Sequence, residues 1–241
     1  MEFISFRLHA RTGHFLKAEA GASALSYVLP PRTVILGLLG AVLGLEKDSP
    51  QKVLEPARIA VSGKIPVTFW HRIKLRKEDP EYLPQIITRK QKAAESGKEA
   101  KPTLILQQWL FQPDYTLWVS LPEPFHGELG ERLVKRRWHF QPGMGLSEMM
   151  ADLVYTDTAH ATPLANDFHH VSTVFPKESG NPDTDRMFAE KLCLNMMRMP
   201  CAVSGERVFT HRDYYMEKDA RPVPVKTDQA FQWKDQKIIC L

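Results

Sequence analysis

The sequence has little cysteine. Its three residues, Cys193, Cys201 and Cys240, are odd in number, and no two have C-x-x-C spacing. A disulfide framework and a zinc knuckle are therefore excluded, and a reducing, cytoplasmic setting is expected. Long apolar runs are also missing. The longest uninterrupted one, Val34 to Leu45, rises about 18 Å as helix, against roughly 30 Å of hydrocarbon core. Arg32 and Glu46 bracket it. No membrane span follows, and "MEFISFRLHA" lacks the basic and apolar segments of a secretory leader.

Several chemical motifs are absent. Gly37, Gly40 and Gly44 have G-x-x-G-x-x-x-G spacing, which is neither a dinucleotide fingerprint nor a Walker loop. There is no H-E-x-x-H and no G-x-S-x-G. Adjacent His169 and His170 cannot share a helix face, and Asp157 and His160 lack a third ligand. Ser147 has no nucleophile elbow before it, and Cys193 falls in an apolar pattern that suits packing. No metal or other cofactor is expected.

What is present suits one α+β domain over residues 1–241. The net charge of +4 is compatible with a polyanion partner without demanding one. Pro30 and Pro31 precede the apolar run as helix starters, with Thr33 as a candidate cap. The run reads as a buried helix whose glycines form one small face, pressed on the sheet. Before it, Ile4, Phe6, Leu8 and Ala10 alternate with Ser5, Arg7, His9 and Arg11, a strand with a basic outer face. After it, Ile65, Val67, Phe69 and Ile73 oppose Thr68, Trp70, Arg72 and Lys74. The second set joins an aromatic to two cations, as single-stranded nucleic-acid surfaces do. Trp70 covering a core edge explains the same pattern.

Residues 76–101 are charged and poor in large apolar groups, so they project or remain a solvated loop. "TLILQQWLFQPDYTLWVSL" reads as a hairpin turning at Pro113-Asp114. "HGELGERLVKRRWHF" reads as a helix with Leu129, Leu133 and Val134 on its apolar stripe. The loop around Gly143, Met144 and Gly145 exposes backbone N–H groups to any nearby phosphate. Ser147 and Glu148 close it, and a strand follows. Asp185 to Arg198 reads as a helix stopped by Pro200, and "CAVSGERVFTHRDYYME" as a hairpin turning at Ser204-Gly205. Strand, helix, strand, hairpin, helix and strand form the ferredoxin-like plan, whose open sheet face RRM domains use for RNA. His9, His14, Tyr27, His71 and Lys74 offer acid–base groups, but any basic RNA binder offers as many.

"HARTGHFLKAEAGASALSYVLPPRTVILGLLGAVLGL" resembles the N-terminal signature of the CRISPR-associated Cas-five family. The shared parts are the basic first strand, Gly13 and Phe15, Ser26-Tyr27, Pro-Pro-Arg-Thr and the Leu/Gly helix. "PGMGLSEMMADLVY" and "MRMPCAVSGERVFTHRDYYMEKDARPVPV" are similar to its later segments. The resemblance implies a ferredoxin-like (RRM-type) body with a projecting β-hairpin thumb at about 72–103. A C-terminal β-rich extension would follow at about 160–241. It implies a subunit at the foot of a type I Cascade surveillance complex, holding the 5′ handle of the CRISPR RNA (crRNA). Its neighbours would be the backbone subunit, the large PAM-reading subunit and target DNA near the PAM-proximal end. Residues 76–101 would be the thumb tip. "SYVLPPRTVILGLLGAVLGL" resembles the non-cleaving, type I-B branch. The type I-C branch cleaves precursor crRNA without metal through a Tyr/Lys/His set, which has no clear match here. The expected RNA-binding residues are Arg7, Lys17, Tyr27, Arg32, Thr33, Trp70, Arg72, Lys74, Gly143, Met144, Gly145 and Ser147. None is expected to be catalytic.

Overall fold

The computed structural model describes residues 1–17, 23–75 and 103–241. The fold is mixed α+β, with many strands and few helices. The expected thumb tip, 76–101, lies outside the described residues.

The body is built from strand β1 (Glu2–Ala10), helix α1 (Arg32–Leu43) and strand β2 (Arg58–Gly63), followed by an inserted hairpin, β3 (Val67–Leu75) and β4 (Thr103–Phe111). Strand β5 (Asp114–Ser120), helix α2 (Phe125–Lys135) and strand β6 (Ala151–Pro163) complete it. The sheet order is β6–β1–β5–β2, each neighbour antiparallel. Beyond β6 the sheet continues through Phe231–Trp233, Gln236–Ile238, Asp167–Val171, Val223–Thr227 and Asn181–Pro182.

Helix α1 is apolar nearly all round because it is covered on most sides. Ile35, Leu36, Leu39 and Val42 share one core with Ile4, Phe6 and Leu8 of β1 and Leu117 and Val119 of β5. Strand β7 (Leu194–Val203), paired with β8 (Phe209–Glu217), packs against the helix and adds Met199 and Tyr214 to that core. The glycines do not act as one face. Gly37 is exposed, with open space where a Cβ would stand. Gly40 meets Pro50, whose Cγ would lie 2.2 Å from an added Cβ. Gly44 takes φ 78°, ends the helix and donates its N–H to the Gly40 carbonyl. Pro31, not Thr33, occupies the cap position. Its carbonyl accepts from the N–H groups of Val34 and Ile35.

Three local expectations change. The arms around Pro113 do not pair: β4 pairs with β3, whereas β5 enters the body sheet between β1 and β2. Gln112, at φ 47° with its N–H on the Arg11 carbonyl, turns the chain between the two sheets. The inserted hairpin therefore runs from Val67 to Phe111, wider than 72–103. Helix α3 (Thr184–Ala189) is short, and Leu194 to Val203 is strand. Pro200 sits at the bulge of β7, the kind of strand position that tolerates proline. On α2, Leu129 and Leu133 are buried but Val134 is exposed.

The outer face of the body sheet is partly closed. Phe3, Ala60 and Trp118 form a second core with Trp233 and Ile238 from the C-terminal strands. The Trp118 and Trp233 rings meet edge-on at 6.1 Å. Ser5, expected outside, is buried there.

Candidate nucleic-acid interface

The β3–β4 register fixes what each face of the hairpin carries. Trp70 lies opposite Gln108, Arg72 opposite Leu106 and Lys74 opposite Leu104, and cross-strand partners share a face. Trp70 is 52% exposed, and Leu104 and Leu106 are exposed beside it. Arg72 and Lys74 are exposed and form no ion pair among the described residues. Nearer the root, Leu110 on this face is fully buried in the main core, which anchors the hairpin.

The opposite face carries an aromatic row that the sequence reading missed. Phe69 meets Trp109 at 5.9 Å and Phe111 at 6.4 Å, both edge-on. His71 lies 4.1 Å from the Trp109 ring. Trp109 Nε1 donates to Gln107 Oε1 at 2.8 Å, fixing the indole. The signal was visible as alternation in β3. An apolar strand face is ordinarily covered, but here Val67 is 72% exposed and Phe69 is exposed beside it.

The edge of β4 is occupied by the N-terminal segment. Thr12 and Gly13 pair with Phe111 and Leu110, and Ser23 and Ala24 run parallel to Leu106 and Gln107. Ser26 N–H donates to Gln108 Oε1. His14 Nδ1 lies 2.8 Å from the Gln108 carbonyl, an acceptor only, so Nδ1 carries the proton. Burial pushes the His14 imidazole below its ordinary value, against the pull of that carbonyl and of Glu148. The glycine-rich loop grips the same root. His14 N–H donates to the Met144 carbonyl, and Met144 N–H to that of Met149. A Cβ on Gly145, at φ 96°, would stand 1.8 Å from the His14 carbonyl oxygen, so only glycine fits.

The expected site residues fall into separate groups. Lys17, Tyr27, Gly143, Met144, Gly145 and Ser147 gather at the hairpin root, and Trp70, Arg72 and Lys74 lie along the hairpin. Not all of them reach solvent. Met144 is fully buried and fills the core, so its side chain is not part of an exposed surface. Tyr27 is also buried, with the Lys17 ammonium 5.3 Å from its ring centre. Ser147 is exposed, and its hydroxyl donates to Glu148. Arg7 is held by Asp114 through two bonds of 2.6 and 2.5 Å. That hydrogen bond and charge keep the Arg7 guanidinium firmly protonated. His9 and Arg136 converge on Asp152, so the outer face of β1 is largely neutralised.

Arg32 and Thr33 are elsewhere. Arg32 donates to the carbonyls of Glu55 at 2.6 Å, Ala57 at 3.2 Å and Cys201 at 3.4 Å. It thereby ties α1 to the start of β2, the end remote from the hairpin. Thr33 is buried, its carbonyl accepting from Gln51. Among the described residues, no three His, Cys, Asp or Glu side chains gather as a metal site, and no helix is long and apolar enough to cross a membrane.

The chain matches the CRISPR-associated protein (Cas_Cas5) family over residues 3–183. It is a member of the Cas5 family. No curated protein matches it significantly in sequence. Two solved structures share the Cas5 chain's fold. One, a "CRISPR RNA-guided surveillance complex", is 15% identical with a TM-score of 0.52, over 92% of this chain and 91% of its own. The other, a CRISPR protein from Archaeoglobus fulgidus, is 13% identical with a TM-score of 0.53, over 100% and 99%.

Proposed function

We propose that this Cas5 chain is a non-catalytic RNA-binding subunit of a type I Cascade surveillance complex. It holds the 5′ handle of the crRNA and joins the backbone subunits to the large PAM-reading subunit, near the PAM-proximal target DNA. The observation that carries this reading is the β3 face of Trp70, Arg72 and Lys74. It joins an exposed stacking surface to two cations with no ion pair among the described residues, the pairing that tracks a single-stranded backbone. The β6–β1–β5–β2 order with two crossover helices supports a ferredoxin-like body, and the hairpin then serves as its thumb. The partly closed outer face favours the thumb over an RRM-type sheet surface.

Burial of Tyr27 and His14 supports the non-catalytic reading, since neither offers a solvent-facing acid–base group. The test uses the purified complex. Reversing Arg72 and Lys74 to glutamate should cost the complex its guide RNA; full retention of RNA would refute the thumb assignment. Specific cleavage of repeat RNA by the isolated chain in EDTA would instead establish the metal-independent endoribonuclease.

A further inference from the structure

We propose that the outer edge of β3 is a self-association surface, where a second copy of this chain adds its own β3 in antiparallel pairing. Strand β3 is nine residues long and pairs with β4 alone, from Val67 opposite Phe111 to Leu75 opposite Thr103. Among the described residues, no other backbone hydrogen bond reaches Val67–Leu75. The alternate N–H and C=O groups turned away from β4 are therefore open to another strand.

Two neighbouring edges are closed. Strand β4 takes Thr12–Gly13 and Ser23–Ala24 on its far side. Strand β2 accepts the N–H groups of Val174 and Leu241 on its Val61 and Ile59 carbonyls. The β3 edge keeps Val67, Phe69 and Trp70 exposed instead. An open edge flanked by apolar side chains is a template for strand addition.

The residues of β3 select a second copy as that strand. Because the bonding groups alternate, two identical antiparallel strands pair only about a residue, not between two. Pairing about His71 overlaps all nine residues and closes as a two-fold dimer. Opposite residues share a face. Trp70 of each copy then meets Arg72 of the other, Phe69 meets Ile73, and Thr68 meets Lys74. Aromatic with cation and aromatic with β-branched are favourable pairs. Neither Arg72 nor Lys74 meets another cation. Edge cations ordinarily repel a second strand, and here they choose the register instead. Centring on Arg72 would set that residue against itself, and centring on Trp70 would leave Lys74 opposite Pro66, outside the strand.

The test follows the oligomeric state of the purified, RNA-free full chain by sedimentation. Wild type should pass from monomer to dimer as concentration rises. Trp70→Lys sets a cation against Arg72 and should stay monomeric, and Trp70→Lys/Arg72→Glu should dimerise again. Crosslinking checks the register. His71→Cys brings two thiols together across the two-fold, with Cα atoms about 4.5–5.5 Å apart, within disulfide reach. Mild oxidation should lock that dimer. The two Thr68 positions lie roughly 20 Å apart along the strands, so Thr68→Cys should crosslink no more than wild type. A wild-type chain still monomeric at about 1 mM overturns the proposal and leaves the edge to a strand of another protein. A dimer that Trp70→Lys leaves intact, that Trp70→Lys/Arg72→Glu fails to restore, or that Thr68→Cys locks as readily as His71→Cys, overturns it equally. Oligomeric state is read without RNA, so self-association can fail while guide-RNA retention by the complex stands, and the reverse.

Discussion

Helix α1 and strand β3 are both rich in large apolar side chains, and they treat them in opposite ways. In α1 eight residues are buried between the body sheet and the β7–β8 hairpin. In β3, Val67, Phe69 and Trp70 all remain exposed. The first element is apolar because the fold needs it. The second keeps apolar and cationic groups that the fold does not use, and surface of that kind marks a place for a partner. Stability and recognition are thus assigned to different stretches of one chain.

The largest effect should come from cutting into the helix. Leu39→Ala removes a fully buried side chain and should cost about 2–5 kcal/mol in urea unfolding. Trp70→Ala should leave unfolding stability within about 0.5 kcal/mol while weakening RNA binding by about 1–3 kcal/mol. If Trp70→Ala instead lowers the midpoint as Leu39→Ala does, the contrast between the elements collapses. A finer comparison lies within α1. Gly40→Ala drives a Cβ into Pro50 and should destabilise, whereas Gly37→Ala meets open space and should stabilise by up to about 1 kcal/mol. Thermal melts of the two variants should move in opposite directions.

The smallest effect concerns pH. Burial works to raise the Glu217 carboxyl, but the N–H groups of Arg221, Cys193 and Asp219, with the Arg221 charge, outweigh it. Its folded value therefore lies below the ordinary 4.5. The contribution is complete above pH 4.5 and is lost as pH falls through the folded value. The stability gap between wild type and Glu217→Gln should narrow below pH 4.5; a gap that stays constant to pH 3 would refute the assignment.

Legibility in the sequence followed the range of the interactions. The alternation of β1 and β3, the apolar run of α1 and the turn at Ser204-Gly205 are local patterns, and each names its own element. Partner choice is not local. Nothing within "LQQWLFQPDYTLW" says that its two arms join different sheets, because a two-residue period is the same whichever strand lies alongside. Pro200 misled for a related reason, since the same missing N–H stops a helix and suits a strand bulge. In the site, Trp70, Arg72 and Lys74 were legible from side-chain chemistry and period. The burial of Met144 and Tyr27 was not, because Met144 packs where Gly13 meets the glycine-rich loop and Tyr27 is placed by its pairing with Phe15. The carbonyl-clamping role of Arg32 depends on residues as distant as Cys201.

The double cover of α1 has a consequence for synthesis. Its second layer comes from Met199 and Tyr214, far along the chain. A ribosome adding about 5–20 residues per second leaves this apolar helix half-covered for on the order of ten seconds. During that interval the nascent chain displays the surface that chaperones bind, so its yield in the cell should track chaperone supply.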